Sequence, residues 1–492
     1  MSAELQAVAE PAQPSGSIVI VGAGPAGLSA AAQAAELGAS VILIDEAQRP
    51  GGQIYRQSPQ SLKLPAIGTP GELARKQRVL ERFERVRSRI DYRPDTVAVA
   101  YYPGHQLLVA DQQRSELLHA GAVIVATGLN ELTLPFPGWT LPGITTAGAL
   151  QSLLKSARVC AGARVVLVGT GPLLIAVAAQ LVQAGAEVLA VALLHPLRQV
   201  FNNPALAWQG REALADGLRY LTVLRRAGVP VLDGFIPVSA EGDSEVRHIV
   251  LAHRDAHGKP VAGTERNFEV DAVGLNYGFT ANSELLRMAG AEVQFDALRG
   301  GWLAQREEDG RTSVPGLFVA GDSAGLRGAL AASVDGSVVG AAAAGWALHQ
   351  NVSFFTSVTV GDVKERARHW RFQDALAPLF VLPAGVWSWA TPETVVCRCE
   401  SVRRERIERA LDDGHLSLNG VKRNCRAGMG FCGGRNCLRT VAALVDERRT
   451  ATNTSDATVV AAPPEPLAPM HARPGIRLAT LAALANRTGD DA

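Results

Sequence analysis

The first sustained apolar run along the chain is Ile18-Val19-Ile20-Val21, four residues with no polar break, ending in the turn Gly22-Ala23-Gly24-Pro25-Ala26-Gly27. A short unbroken run closed by a turn predicts a strand buried on both faces. An Ala-rich helical stretch from about Pro25 to Leu37 follows, and then a second apolar run, Val41-Ile42-Leu43-Ile44. The pattern recurs 147 residues later, where Val165-Val166-Leu167-Val168 runs into Gly169-Thr170-Gly171-Pro172-Leu173-Leu174. Strand, glycine turn, helix and strand, given twice, predict an α/β chain with two dinucleotide-binding, Rossmann-like units. The most apolar long stretch, Pro172 to Leu194, carries Gln180, Gln183 and Glu187 where a buried helix followed by a strand would place them. It is not a membrane span.

The two copies differ in what they can hold. In the first, Asp45 lies 23 residues beyond Gly22, at the end of the second strand. Gly22 permits the tight turn, Gly24 lets a pyrophosphate touch backbone, and Gly27 lets helix and strand pack closely; Pro25 and Ala26 complete the loop. Asp45, or Glu46 one position on, is the acceptor for an adenosine ribose. In the second copy Leu174 stands at the third glycine position, and the strand ends Leu193-Leu194-His195, without an acid for a ribose or an Arg for a 2′-phosphate. That unit is expected to be kept for packing, or to hold a nucleotide weakly.

Composition adds limits. At 492 residues two to four domains are expected. A net charge of +1 with 19% charged residues gives no global field toward nucleic acid or an anionic membrane. Residues 1–16 contain Glu4 and Glu10, no basic residue and no apolar core, and so predict a disordered tail, neither leader nor span. Thr450 to Pro469 is Ala/Thr/Pro-rich and builds no core, so it should lie along the surface or a partner. A cytoplasmic enzyme is expected, meeting the inner face of a membrane only through an electron acceptor.

Five of the six cysteines fall late: Cys397, Cys399, Cys425, Cys432 and Cys437. A Cys-x-Cys pair, 32 residues, then Cys-x4-Cys gives four thiolates enough chain to converge. Soft thiolates select zinc, copper(I) or an iron–sulfur cluster. Residues 397–449 hold twelve Lys/Arg against seven Asp/Glu, which suits an anionic centre. The stretch Arg426-Ala427-Gly428-Met429-Gly430-Phe431-Cys432-Gly433-Gly434-Arg435-Asn436-Cys437 resembles the last ligand loop of the small [2Fe-2S] domains of the bacterioferritin-associated ferredoxin type. The resemblance implies Cys397, Cys399, Cys432 and Cys437 as ligands and leaves Cys425 beside the cluster, with Cys425 in place of Cys432, and a structural zinc, as the alternatives.

Elsewhere Val123-Ile124-Val125-Ala126-Thr127-Gly128 and Gly316-Leu317-Phe318-Val319-Ala320-Gly321-Asp322 resemble strands of glutathione-reductase-type flavoproteins. That resemblance implies FAD as cofactor, with Thr127, Gly128, Gly321 and Asp322 as further contacts. Asp322 would meet the ribityl chain or cap a helix, and the small residues from Ala329 to Gly345 would press a helix against the flavin ring. The redox cysteine pair of disulfide reductases is missing from Gly51-Gly52-Gln53-Ile54-Tyr55-Arg56, and Cys160 stands alone as a small core residue. From Ser17 to Ala483 the chain resembles the α subunits of heteromeric flavoprotein amino-acid dehydrogenases, a family that includes opine oxidase and hydrogen cyanide synthase subunits. Pro50-Gly51-Gly52-Gln53-Ile54-Tyr55-Arg56 carries part of this likeness and adds Gly52 and Gln53 as cofactor contacts. Leu141 to Ala149 and Asn276 to Asn282 carry more of it.

The family implies an electron relay. An amino or imino acid (opine, glycine, proline or hydroxyproline) is oxidised on a smaller flavoprotein β subunit resembling D-amino acid oxidase, and electrons pass through this chain to a downstream acceptor. It also implies FMN at the subunit contact in some members, and ATP or ADP in place of FAD as the alternative occupant. No catalytic residue is identified. The expected organisation is a flavin domain from 17–135 and 275–350, a degenerate second nucleotide domain at 140–272, a connector at 355–390, the cluster domain at 391–448 and an extended tail from 449. The rival functions are a self-sufficient NAD(P)H oxidoreductase and a scaffold with a structural cluster.

Overall fold

The computed structural model describes residues 17–59, 61, 65–348, 360–454 and 467–488, so the expected tail at 1–16 lies outside the described residues. Two parallel five-stranded sheets organise the molecule. In the first the order is Leu317–Val319, Ala122–Val125, Ser17–Val21, Ser40–Ile44 and Ile90–Arg93. Its central strands are apolar throughout because helices cover both faces, leaving Ile18, Val19 and Ile20 fully buried. In the second the order is Val231–Asp233, Glu187–Leu193, Arg164–Gly169, Ala272–Asn276 and Ile144–Thr146. The strand Ala272–Asn276 belongs to this second sheet, so the chain returns to the first unit after Asn276, a few residues later than the sequence boundary.

Each sheet is followed by the helix the glycine turn announces. Helix Pro25–Glu36 begins at Gly24 with proline in its first turn and no side-chain cap. A Cβ at Gly27 would lie 1.7 Å from the Gly22 carbonyl oxygen, so this packing excludes any side chain. In the second unit Leu174 is fully buried in helix Leu173–Gln183, packed on Val165 and Leu167 of the sheet. The helix tolerates leucine here by burying it.

Helix Gly328–Ala347 corrects one expectation. Its small residues serve chiefly a helix–helix contact: Cβ atoms at Gly336 and Gly340 would meet the carbonyl oxygens of Ala26 and Ala30 at 2.1 and 2.4 Å. Only its first turn, at Gly328, Ala329 and Ala332, reaches the cleft described below. Among the described residues this helix, rather than Pro172–Leu194, is the one long and apolar enough to cross a membrane by composition, yet 56% of its apolar window is buried inside the fold. Its Asp335 is held by Arg306 at 2.7 Å and Arg366 at 3.3 Å, with all three side chains buried.

The cysteine-rich segment forms a small unit of its own. A hairpin, Val395–Cys397 with Val402–Arg403, leads to helices Arg404–Asp412, Leu418–Cys425 and Leu438–Thr454 around Ile407, Val421, Val441 and Val445. Most of the stretch expected to lie along the surface, residues 455–466, is outside the described residues, and from 467 the tail runs extended along the fold. Met470 is buried in that same core, the N–H groups of Gly475 and Ile476 donate to the Val99 carbonyl, and Arg487–Thr488 pairs with Ser115–Glu116 as an edge strand.

Candidate functional site

A cleft of about 650 Å³ opens over the first glycine turn. It is lined by Gly22, Gly24, Pro25, Ala26, Asp45, Glu46, Gly52, Gln53, Thr127, Gly128 and Asp322, so eleven of the thirteen expected contacts meet there. A Cβ at Gly24 would find only the Gly52 Cα, at 3.8 Å, leaving open space above the backbone. The first turn of helix Pro25–Glu36 has no side-chain cap, which leaves its N-terminus able to receive a phosphate. Gly27 and Gly321 are the two that stand behind the wall. A Cβ at Gly321 would come 2.5 Å from that of Ala26, and its N–H donates to Asp335, so both glycines permit packing rather than contact.

The polar groups sharpen the picture. Asp45 accepts the N–H groups of Ala23 at 2.5 Å and Ala47 at 2.7 Å, so it braces the glycine turn as well as facing the cleft, and burial raises its pKa. Glu46 lies at the rim, paired with Arg477 at 3.3 Å. Thr127 spends its hydroxyl on the Asn282 carbonyl, and Gly128 its N–H on Ser323, so both contribute wall rather than free donors. Asp322 accepts the N–H groups of Arg327 and Gly328, capping the following helix from one oxygen while it lines the cleft. Gln53 accepts from Arg56 and Ser152.

Several lining residues were not legible in the sequence. Glu131, its pKa raised by burial, accepts from Asn276 and the Gly148 N–H at the cleft wall. Ile476 and Arg477 arrive from the C-terminal tail, and Asn436 from the cysteine loop. No local signal could have found these three, since chain ends and loops carry no periodicity that points across a fold.

Asn436 ties the cleft to the thiols. The sulfurs meet two by two, Cys397 with Cys437 and Cys399 with Cys432. All four lie near one another, since Cys437 feels Cys397, Cys399 and Cys432 together. The hydrogen bond with Cys437 and the N–H groups of Gly428, Glu400 and Cys399 hold the Cys397 thiol down to about 6. Burial and Cys432 push Cys399 up to about 11, and Cys437 is raised too. Crowded thiolates repel one another and need a cationic centre to coexist. Cys425 faces away, its thiol donating to the Val421 carbonyl at 3.2 Å within its own helix. A buried ion pair, Arg435 with Glu284 at 2.6 Å, pins the cysteine loop to the cleft wall.

The second glycine turn departs from the first. At the strand end where a ribose would be bound, His195 bonds Thr170 at 3.1 Å and stacks edge-on against Phe380 of the connector at 6.2 Å. Burial and Arg254 lower its pKa to about 4.

Two flavoprotein-type nucleotide folds with a thiolate-bearing unit at their cleft define an FAD-dependent oxidoreductase. The chain belongs to the pyridine nucleotide-disulphide oxidoreductase family, matched over residues 16–345, and carries a BFD-like [2Fe-2S] binding domain over residues 395–447. It is 34% identical to the hydrogen cyanide synthase subunit HcnB of Pseudomonas aeruginosa, over 85% of this chain and 90% of that one. It is 33% identical to an opine oxidase subunit of Agrobacterium tumefaciens, over 88% and 86%. L-proline dehydrogenase from P. horikoshii shares the fold, with a TM-score of 0.61 at 19% identity over 95% of this chain and 79% of that structure. Homologues of this kind are oxidoreductase subunits, and this chain is one of that family.

Proposed function

We propose that this chain is the electron-relay α subunit of a heteromeric dehydrogenase or oxidase acting on the C–N bond of an amino or imino acid: an opine, hydroxyproline, proline or glycine. The substrate is oxidised on a separate, smaller flavoprotein β subunit resembling D-amino acid oxidase. In this reading Gly22, Gly24, Pro25, Ala26, Asp45, Gly52 and Asp322 hold FAD, and Cys397, Cys399, Cys432 and Cys437 hold the cluster. Bound FAD exchanges one or two electrons and a two-iron cluster one at a time, which suits a change from two-electron to one-electron transfer. What supports the relay most directly is Asn436, which sits between two of these cysteines and lines the FAD cleft, so the centres share a wall. FMN at the contact with the β subunit, and a cytoplasmic site of action, belong to the same reading.

The chain's own residues bind, orient and shield. The glycine turn and the uncapped helix receive the pyrophosphate, Asp45 fixes the turn, and the tail at Ile476 and Arg477 closes the rim against water. The chain alone should oxidise no amino acid, and only its complex with the β flavoprotein should reduce an artificial dye when given octopine, nopaline, glycine, proline or D-hydroxyproline. Substrate-driven dye reduction by the partner-free chain would overturn the relay. A self-sufficient NAD(P)H oxidoreductase would instead show rapid flavin bleaching with NADH or NADPH under anaerobic conditions, and Phe380 against His195 argues against it. A visible flavin spectrum separates FAD from ATP or ADP in the first cleft.

A further inference from the structure

Beside the FAD cleft lies a larger cavity, of about 880 Å³. Its floor is the second glycine turn, Thr170 to Leu173, and its walls come from the connector and from the first turns of helix Leu438–Thr454. Leu173, Phe279 and Leu326 line both spaces, so these side chains form the partition between them.

Two independent features of this cavity call for negative charge. Helix Leu173–Gln183 starts on its floor with no side-chain cap, leaving the N–H groups of its first turn and the positive end of its dipole for a ligand. On the opposite wall stands Arg439, 9% exposed. Among the described residues it has no ion pair or hydrogen bond, and its guanidinium rests over the Phe295 ring at 5.6 Å. Burial alone lowers its pKa, with no carboxylate to offset the cost. A buried cation of this kind costs free energy until an anion meets it.

The size of the ligand follows from the connector. Phe380 packs on His195 at 6.2 Å, and the backbone of Val381 bonds the same ring. The adenosine half of a dinucleotide therefore has no room at the strand end. What is left is a cavity with aromatic and aliphatic walls, among them Phe279, Phe295 and Trp387, with anion-seeking groups at two sides and with Lys259, Asp446 and Glu447 also in its lining.

We propose that this cavity binds a flat heteroaromatic ring carrying a single phosphate, a ligand of mononucleotide size, with Arg439 and the N-terminus of helix Leu173–Gln183 as its anion contacts. Ring-bearing ligands seated there lie against the Leu173–Phe279–Leu326 partition, one side chain away from the FAD cleft. The second nucleotide unit then keeps a binding role while refusing dinucleotides.

Titrating the purified, flavin- and cluster-loaded chain with FMN, reduced nicotinamide mononucleotide, NADH and inorganic phosphate, by equilibrium dialysis and by quenching of Trp387, tests this. One mononucleotide per chain should bind, with NADH no tighter and phosphate much weaker. Arg439→Gln should weaken mononucleotide binding roughly tenfold to a hundredfold, as for loss of a charge-assisted contact, while Arg439→Lys restores part of it. Ala443→Trp, which fills the cavity and leaves Arg439 in place, should abolish binding with the visible cluster spectrum intact. Phe380→Ala should raise the affinity for NADH relative to the mononucleotide. Absence of mononucleotide binding to the unmodified chain, affinity unmoved by both Arg439→Gln and Ala443→Trp, or NADH binding tenfold tighter than the mononucleotide would each overturn the proposal. Phosphate binding as tightly as the mononucleotides would reduce the cavity to a simple anion site and overturn it equally.

Discussion

Single residues decide whether each centre can form. At Gly24 the nearest protein atom to an added Cβ is 3.8 Å away, so Gly24→Val should fold normally yet lose its flavin, read as the ratio of 450 nm to 280 nm absorbance. At Gly27 the same addition would strike the Gly22 carbonyl at 1.7 Å, and there the fold itself should fail. Replacing Cys397, Cys399, Cys432 or Cys437 by serine should each abolish the visible cluster absorption, whereas Cys425→Ser should keep it, because that thiol is already engaged with Val421. Iron and labile sulfide at about two each per chain are expected alongside. His195 supplies a pH test. Its folded pKa is about 4 against an ordinary 6.5, so between these values the unfolded chain takes up a proton that the folded one refuses. Stability should therefore fall as pH drops from 6.5 to 4, and His195→Gln should flatten that part of the urea-midpoint profile.

At the scale of elements, the cysteine loop and the flavin unit are joined by a few specific contacts. Arg435 and Glu284 form an ion pair with side chains 13% and 9% exposed, and Arg435 also donates to the Ile476 carbonyl at 2.9 Å. Glu284→Ala leaves a buried guanidinium without its partner, a change that costs about 3–5 kcal/mol. It should lower the thermal midpoint clearly, and the double change Glu284→Met, Arg435→Met should recover much of the loss, as calorimetry would show. Helix Gly328–Ala347 shows why composition misleads about role: its glycines look like space for a ligand, yet two of them are filled by the carbonyl groups of Ala26 and Ala30.

At the scale of the whole molecule, the C-terminal tail behaves as a strap. It is anchored in the cluster unit through Met470, crosses to Val99, pairs Arg477 with Glu46, and at Arg487 and Thr488 joins the strand at Ser115 and Glu116. Deleting residues 475–492 removes two groups from the cleft rim and should speed flavin loss roughly tenfold, worth about 1.4 kcal/mol, with the cluster spectrum unchanged. Release of flavin followed by its returning fluorescence after dilution checks this. Equal flavin retention would show that the rim contributes nothing to closure.

Short-range chemistry could be read from the residues in order. The two strand–glycine–helix units, the positions of Gly22, Gly24 and Asp45, and the set of late cysteines all follow from local rules: buried runs, φ-permissive turns and soft ligands lie within one stretch of chain. Tertiary structure alone decided what meets across the fold. It brought Asn436, Ile476 and Arg477 to the cleft, set Phe380 against His195, turned Gly321 into packing, and left Arg439 buried over Phe295 with no ion pair or hydrogen bond among the described residues. Those juxtapositions depend on how distant segments pack, and a residue's neighbours in space leave no periodic mark on its neighbours in sequence.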